Sequence, residues 1–272
     1  MNNTIEILIK CKEAAVRDML LAELAETGFD GFEEREDAII AFADEKNVDE
    51  VMTSEILTRY KVDFTRNLIN AQNWNHSWES NFEPVLVGNF AGIRADFHPP
   101  FTTVEYDLLI TPKMSFGTGH HATTYLMIDQ MQHLDIKGKN VLDLGTGTGV
   151  LAILAEKLGA DKVLAVDNDE WSITNAEENC EKNNCSKVEL QLGDTLENIE
   201  GSFDIILANI NRNVILSYLP AIVGHSHPQT VILLSGLLVT DEETILYAVE
   251  NYSLKLCNRT VKDGWICLRF VH

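Results

Sequence analysis

One nine-residue stretch constrains this chain more than any other. The apolar run Val141–Leu144 passes through three alternating glycines, Gly145, Gly147 and Gly149, straight into the helical pattern Val150–Lys157. Glycines at every second position remove Cβ atoms from the turn and permit positive φ, so that backbone can lie close to a ligand. A strand that turns directly into a helix also presents the helix's free N–H groups there. Asp143 stands two residues before the first glycine, and the next apolar run, Lys162–Val166, ends at Asp167-Asn168. From such a position a carboxylate reaches ribose hydroxyls. The spacing Gly-x-Gly-x-Gly departs from the Gly-x-Gly-x-x-Gly of the dinucleotide fingerprint.

Around this turn the pattern alternates strictly. From about residue 104, strands are expected at 104–111, 140–144, 162–166, 188–192, 203–208 and 230–234. Helices are expected at 121–134, 150–157, 171–183, 213–222 and 241–250. Alternating βα units predict an α/β fold with a parallel sheet covered on both faces. The end breaks the alternation: 254–261 and 265–271 read as two strands joined by Lys262-Asp263-Gly264, a hairpin. The expected sheet is therefore mostly parallel, seven-stranded and closed by an antiparallel hairpin strand.

The first 65 residues read differently. Strand (4–9), helix (12–27), two extended runs (29–34 and 38–42), helix (47–60) and strand (62–65) follow in the order βαββαβ of a ferredoxin-like module. Ala15, Met19, Leu20 and Leu24 fall at helical spacing in the first helix, and Val48, Val51, Met52, Ile56 and Leu57 in the second. Gly28 ends the first helix. Residues 66–103, with Trp74, Trp78, Phe82, Phe90 and Phe97 among polar residues and prolines, read as an aromatic-rich connector whose rings pack on a core. A second, larger domain is then expected over 104–272.

Composition narrows the partners. A formal charge of −21 over 272 residues gains nothing from displacing counterions on a phosphate backbone, so no direct nucleic-acid binding is expected. Residues 1–65 carry 7 Lys and Arg against 16 Asp and Glu, a net of −9, which argues against a basic RNA-binding module and for a basic protein or a small molecule. Five cysteines without a Cys-x-x-Cys pair suit a reducing cytoplasm. No apolar run reaches membrane-span length and the N-terminus lacks the features of a signal peptide, so a soluble cytoplasmic protein is expected.

Ligands of open α/β sheets sit beyond the carboxyl ends of the strands. The residues there are Gly145, Gly147 and Gly149, then Asp167, then Gly193-Asp194-Thr195, then Asn209-Ile210-Asn211. Asp167 can accept from a ribose diol and Asp194 from an adenine amino group. Upstream, Phe116-Gly117-Thr118-Gly119-His120-His121-Ala122-Thr123-Thr124 is a second glycine-bearing segment that leads into a helix. Adjacent His120 and His121 make poor metal-ligand geometry, and His225 and His227 read as loop residues without partner acids, so no metal is expected.

These motifs together, Phe-Gly-Thr-Gly-x-His-x-Thr-Thr, Val-Leu-Asp-x-Gly-x-Gly-x-Gly, Val-Asp-x-Asp and Ala-Asn-Ile, resemble the PrmA family, Rossmann-like S-adenosylmethionine-dependent methyltransferases of ribosomal protein L11. The resemblance covers about residues 68–272 by motif. It implies S-adenosylmethionine as cofactor, lysine side-chain and N-terminal amines of a ribosomal protein as acceptors, and a substrate-recognising N-terminal module. Thr124, Gly145, Asp167 and Asn209 correspond to the family's cofactor contacts. Phe116 with Gly117 and Gly119 corresponds to a flap over the sulfonium. Thr123, Asp143, Gly147, Gly149, Asn168 and Asp194 join the expected cofactor set, and Asn209, Phe116 and His121 the expected catalytic set.

Methyl transfer to nitrogen needs a neutral amine, whereas a solvated lysine, with a pKa of about 10.4, is protonated near neutrality. Desolvation lowers that pKa, and the Asn209 carbonyl can orient the lone pair. Enzymes that methylate planar amides carry Asn/Asp-Pro-Pro-aromatic where this chain reads Asn209-Ile210-Asn211-Arg212, so that clamp is missing. A monomer is expected. The alternatives are a lysine methyltransferase for another protein and a non-catalytic, cofactor-binding assembly factor.

Overall fold

The computed structural model describes residues 3–35, 37–69, 83–111, 117, 119–194, 196 and 199–272. The chain forms two compact units, 1–81 and 82–272.

In the small unit, β1 (Thr4–Lys10), β2 (Gly31–Arg35), β3 (Ala38–Asp44) and β4 (Asp63–Ile69) form an antiparallel sheet in the order β2-β3-β1-β4. Two helices, α1 (Ala14–Ala25) and α2 (Glu50–Tyr60), connect them. Period-two alternation along β1 turns Ile5, Ile7 and Ile9 into the core, where they join Leu20, Leu24, Phe29, Ile56 and Leu57. The expected helical faces are too broad. Met19 of α1 is exposed, and so are Val51 and Met52, because the inner face of α2 runs through Thr53, Ile56 and Leu57. Thr53 holds its place by donating its hydroxyl to Asp49 O at 2.7 Å.

A boundary at residue 65 cuts through β4, which continues to Ile69. The stretch expected as a connector is likewise structured near its end. Strands β5 (Val85–Val87) and β6 (Ala91–Arg94) pair with β7 (Tyr106–Leu109) in a three-stranded sheet of the large unit. Burial of Ala91 and Ile93, the edge-on Phe90–Tyr106 contact at 5.3 Å and the Arg94–Asp107 ion pair at 2.8 Å hold it there. Trp74, Trp78 and Phe82 lie outside the described residues.

The rest of the large unit alternates as expected. Helix α3 (Ala122–Met131) precedes β8 (Asn140–Leu144), α4 (Val150–Lys157), β9 (Lys162–Asp167), α5 (Glu170–Lys182) and β10 (Val188–Leu192). Then come β11 (Phe203–Asn209), α6 (Arg212–Gly224), β12 (Ser226–Leu238), α7 (Glu242–Val249), β13 (Lys255–Lys262) and β14 (Trp265–Val271). The sheet order is β10-β9-β8-β11-β12-β14-β13, parallel from β10 to β12. The closing hairpin turns at Asp263 (φ 51) and Gly264 (φ 81), the two positive values that a tight hairpin turn demands. Its second arm, β14, inserts antiparallel between β12 and β13.

Central strands are apolar on both faces, as burial under helices on both sides requires. Val141, Ile205 and Leu207 face α3 and α4, whereas Leu142, Leu144, Ile206 and Ala208 face α6 and α7. Strand order reverses between β8 and β11, which opens a crevice at their carboxyl ends. The histidine reading needs correction. Helix α6 runs to Gly224 and β12 starts at Ser226, so His225 caps a helix and His227 lies in a strand, 3.4 Å from Asp204 Oδ1. Among the described residues no helix is long and apolar enough to cross a membrane, and no three metal-ligating side chains converge.

Candidate active site

A cleft of about 630 Å3 opens at that crevice. Of the residues expected at a site, His121, Thr123, Gly145, Gly147, Asp167, Asn168, Asp194 and Asn209 line it. They come from the loops after β8, β9, β10 and β11 and from the start of α3, brought together from distant parts of the sequence.

The glycine turn is built by positive φ at Gly145 (73°), Gly147 (55°) and Gly149 (80°). A Cβ on Gly145 would lie 2.3 Å from Ile210 Cγ2, so a larger residue at 145 meets the segment after β11. Gly149 does not line the cleft; it lets α4 pack on α5, with Ala176 Cβ 3.1 Å from an added Cβ. Asp167 ties the turn to the neighbouring one. Its Oδ2 accepts from Gly147 N at 2.8 Å and its Oδ1 from Asp169 N at 3.1 Å, so the carboxylate is fixed in orientation with lone pairs left over.

Asp143 is buried beneath the turn rather than on the cleft wall. Its Oδ2 accepts from the Thr146 hydroxyl at 2.6 Å, and its Oδ1 is buried without a hydrogen-bond partner. Burial pushes its carboxyl up to about 7; the Thr146 hydroxyl opposes this, the Asp167 carboxylate adds to it, and the Ala152 N–H opposes it weakly.

Asn209, at 9 % exposure, ends β11. Its Nδ2 donates to Thr124 Oγ1 at 3.4 Å, which fixes the amide's orientation. Its Oδ1 is buried with no partner and is thus an acceptor held ready. Thr124 itself is fully buried behind it. His121 is the N-cap of α3, its Nδ1 2.7 Å from Thr123 Oγ1, and its ring meets Trp265 edge-on at 4.5 Å.

Of the second glycine segment, both glycines are described. Gly117 and Gly119 are buried and do not line the cleft. Gly117 O accepts from the Thr148 hydroxyl at 2.8 Å, and a Cβ on Gly119 would lie 2.5 Å from Ile93 Cδ1. Phe116 and Thr118 lie outside the described residues.

Several lining residues escaped the sequence reading, among them Trp265, Tyr218, Ser172 and Gly236. Tyr218 donates its hydroxyl to the Asp194 carbonyl, and burial, followed by the Asp194 carboxylate, raises its pKa. Gly236 (φ 82) sits where β12 shifts register between Leu234 and Leu237; a Cβ there would lie 2.2 Å from Ile210 O. The signal was present, since a lone glycine inside an apolar strand marks a bulge or a close backbone approach.

The chemistry of the lining suits S-adenosylmethionine. Acceptors at Asp167 and Asp194 match hydroxyl and amino donors, the unpartnered Asn209 oxygen awaits a positive or N–H group, and Gly145 and Gly147 bring backbone to the cleft wall.

Comparison with known proteins agrees. The family model described as ribosomal protein L11 methyltransferase (PrmA) matches residues 5–272. The ribosomal protein L11 methyltransferases of Phocaeicola vulgatus and Bacteroides fragilis are each 36% identical, over 268 and 269 residues, covering 96% of this chain and 95% of theirs. The crystal structure of a ribosomal protein L11 methylase from Lactobacillus delbrueckii subsp. bulgaricus superposes with a TM-score of 0.63 at 31% identity, covering 70% of this chain and 98% of that one.

Proposed function

From the premise that the chain belongs to the ribosomal protein L11 methyltransferase family, we propose that it methylates lysine side-chain and N-terminal amines of ribosomal protein L11. The observation that carries the chemistry is the Asn209 carbonyl oxygen, buried and unpartnered at the carboxyl end of β11.

S-adenosylmethionine, when bound, supplies an electrophilic methyl group on a sulfonium. The chain's part is to hold it and to prepare the amine. Asp167 would accept from the ribose hydroxyls, Asp194 and Asn168 would hold the adenine end, and the 145–147 turn would hold the rest of the adenosyl group. Asp143, beneath that turn, accepts from the Thr146 hydroxyl at 2.6 Å and so braces it from below. On the acceptor side, the cleft wall of Trp265, Ile210 and Val214 strips water from the incoming amine and lowers its pKa. The proton leaves to solvent as the amine enters. Asn209 Oδ1 then accepts an N–H of the neutral amine and turns its lone pair toward the methyl group. His121 and Thr123 fix the start of α3, and with it Thr124, which orients the Asn209 amide.

The small unit receives the protein substrate. Its net charge of −9 over residues 1–65 favours a basic partner and leaves no role for direct nucleic-acid binding. The enzyme works as a cytoplasmic monomer.

Labelled S-adenosylmethionine incubated with the protein and ribosomal protein L11 should place label on lysine and N-terminal amines. Asn209→Ala should lower kcat by about 100-fold, the scale of one lost transition-state acceptor, while affinity for S-adenosylhomocysteine changes a few-fold at most. No label on the protein, or an unchanged kcat in the variant, overturns the reading.

A further inference from the structure

Three asparagines recur at helical spacing along one side of α5 and just past its end: Asn175, Asn179 and Asn183, all buried. They face β7. Asn183 accepts from Leu109 N at 3.1 Å and donates to Leu109 O at 2.7 Å, and Asn175 Nδ2 lies 3.5 Å from Thr111 O. Side-chain amides therefore serve the backbone groups at the end of β7 as a neighbouring strand would.

Asn179, which is fully buried, does something its neighbours do not. Its Oδ1 accepts from Thr111 N at 2.8 Å, and its Nδ2 donates to Thr148 O at 2.8 Å, within the glycine turn. Thr148 in turn donates its hydroxyl to Gly117 O at 2.8 Å. Thr111 and Gly117 are the two ends of the segment that carries Phe116 in the sequence. Both ends are thus fastened to the glycine turn, one by Asn179 and the other by Thr148.

We infer that Asn179 is a positioning residue for methyl transfer: by bonding both Thr148 and Thr111 it fixes the cofactor-binding turn against the chain just beyond β7, so that the turn keeps one position relative to the rest of the cleft. The inference rests on reading the large unit as a methyltransferase. Replacing Asn179 by an apolar residue leaves the buried Thr148 O and the part-buried Thr111 N–H without this partner, and the turn shifts to find others.

The test compares Asn179→Leu with Asn183→Leu, which removes equivalent bonds to β7 without touching the turn. Calorimetry with S-adenosylhomocysteine and single-turnover methylation are run on samples whose folded fraction is matched by circular dichroism. We expect Asn179→Leu to lose about tenfold in affinity and about tenfold in rate, the scale of one unsatisfied buried group. Asn183→Leu should stay within about twofold in both, since its groups lie outside the turn. Should Asn179→Leu fail to fold, Thr148→Val and Thr148→Ser decide: valine should lose affinity and rate, and serine, which keeps the hydroxyl, should recover most of both. Equal losses in Asn179→Leu and Asn183→Leu, wild-type behaviour of Asn179→Leu, or no difference between Thr148→Val and Thr148→Ser overturns the inference. Failure of the wild-type protein to bind S-adenosylhomocysteine would instead overturn the methyltransferase reading itself.

Discussion

The two glycine-bearing segments of the large unit use the same residue and the same backbone region to opposite ends. At 145–149 positive φ values of 55° to 80° leave Gly145 and Gly147 lining an open cleft. At 117 and 119, φ values of 105° and 93° bury the backbone against Thr148 and Ile93. Glycine records that something comes close, and only the neighbours say what. In the first turn two of the glycines line the cleft beside Asp167. In the second the close approach serves packing.

The largest effect expected of this contrast lies under the first turn. Asp143 has its carboxyl pushed up to about 7 by burial, so the folded state holds a proton that the unfolded chain has already released between pH 4 and pH 7. Its raised pKa means that the stability it contributes is fully present below the unfolded value and lost as pH rises through 7. At pH 8 the buried carboxylate therefore costs the fold up to about 4 kcal/mol. Asp143→Asn cannot ionise. Its Tm should match the wild type near pH 4 and exceed it at pH 8, while affinity for S-adenosylmethionine falls. An acid kept for the fold alone would show the reverse at pH 8, with a lower Tm in the variant.

The second segment should respond in the opposite sense. In Gly119→Ala the new Cβ lies 2.5 Å from Ile93 Cδ1 at a φ of 93°. Overpacking and left-handed strain should destabilise the large unit by about 3 kcal/mol. Affinity per folded molecule should not change. Chemical denaturation paired with calorimetry separates the two, and a specific loss of affinity with stability intact would place Gly119 in the site after all.

How far the sequence could be read follows the same division between local and long-range causes. Strands β8, β10 and β14 and helix α4 stand where periodicity and turn residues put them, because burial on both faces writes a continuous apolar run and the glycine turn marks where the strand ends. The insertion of β14 between β12 and β13 depends on pairing over long range, and no local pattern encodes it. Trp265 reaches the cleft only through that insertion. Strands β5 and β6 were hidden by their lengths of three and four residues, too short to show alternation, whereas β7 falls inside the strand expected at 104–111. The places of Asp167 and Asn209 on the cleft were legible because strand ends at a switch point open onto the crevice; the asparagine ladder on α5 was not, because a buried polar face on a helix resembles a solvated one until its partners are known.

The smallest effect is the one that most sharpens the comparison, because Gly145 belongs to both categories: it lines the cleft and it also makes room for protein. In Gly145→Ala the added Cβ sits 2.3 Å from Ile210 Cγ2, the neighbour of Asn209, at a φ of 73°. The clash pushes Ile210 and with it the acceptor, whereas the left-handed strain acts on the turn alone. Cofactor affinity should fall about tenfold, or about 1.4 kcal/mol. Adding Ile210→Ala removes Cγ2 and should return about half of that energy, leaving the strain. A double-mutant cycle on binding measures the split. Full recovery would make Gly145 a packing glycine like Gly119, and no recovery would make it purely a glycine of the ligand-facing backbone.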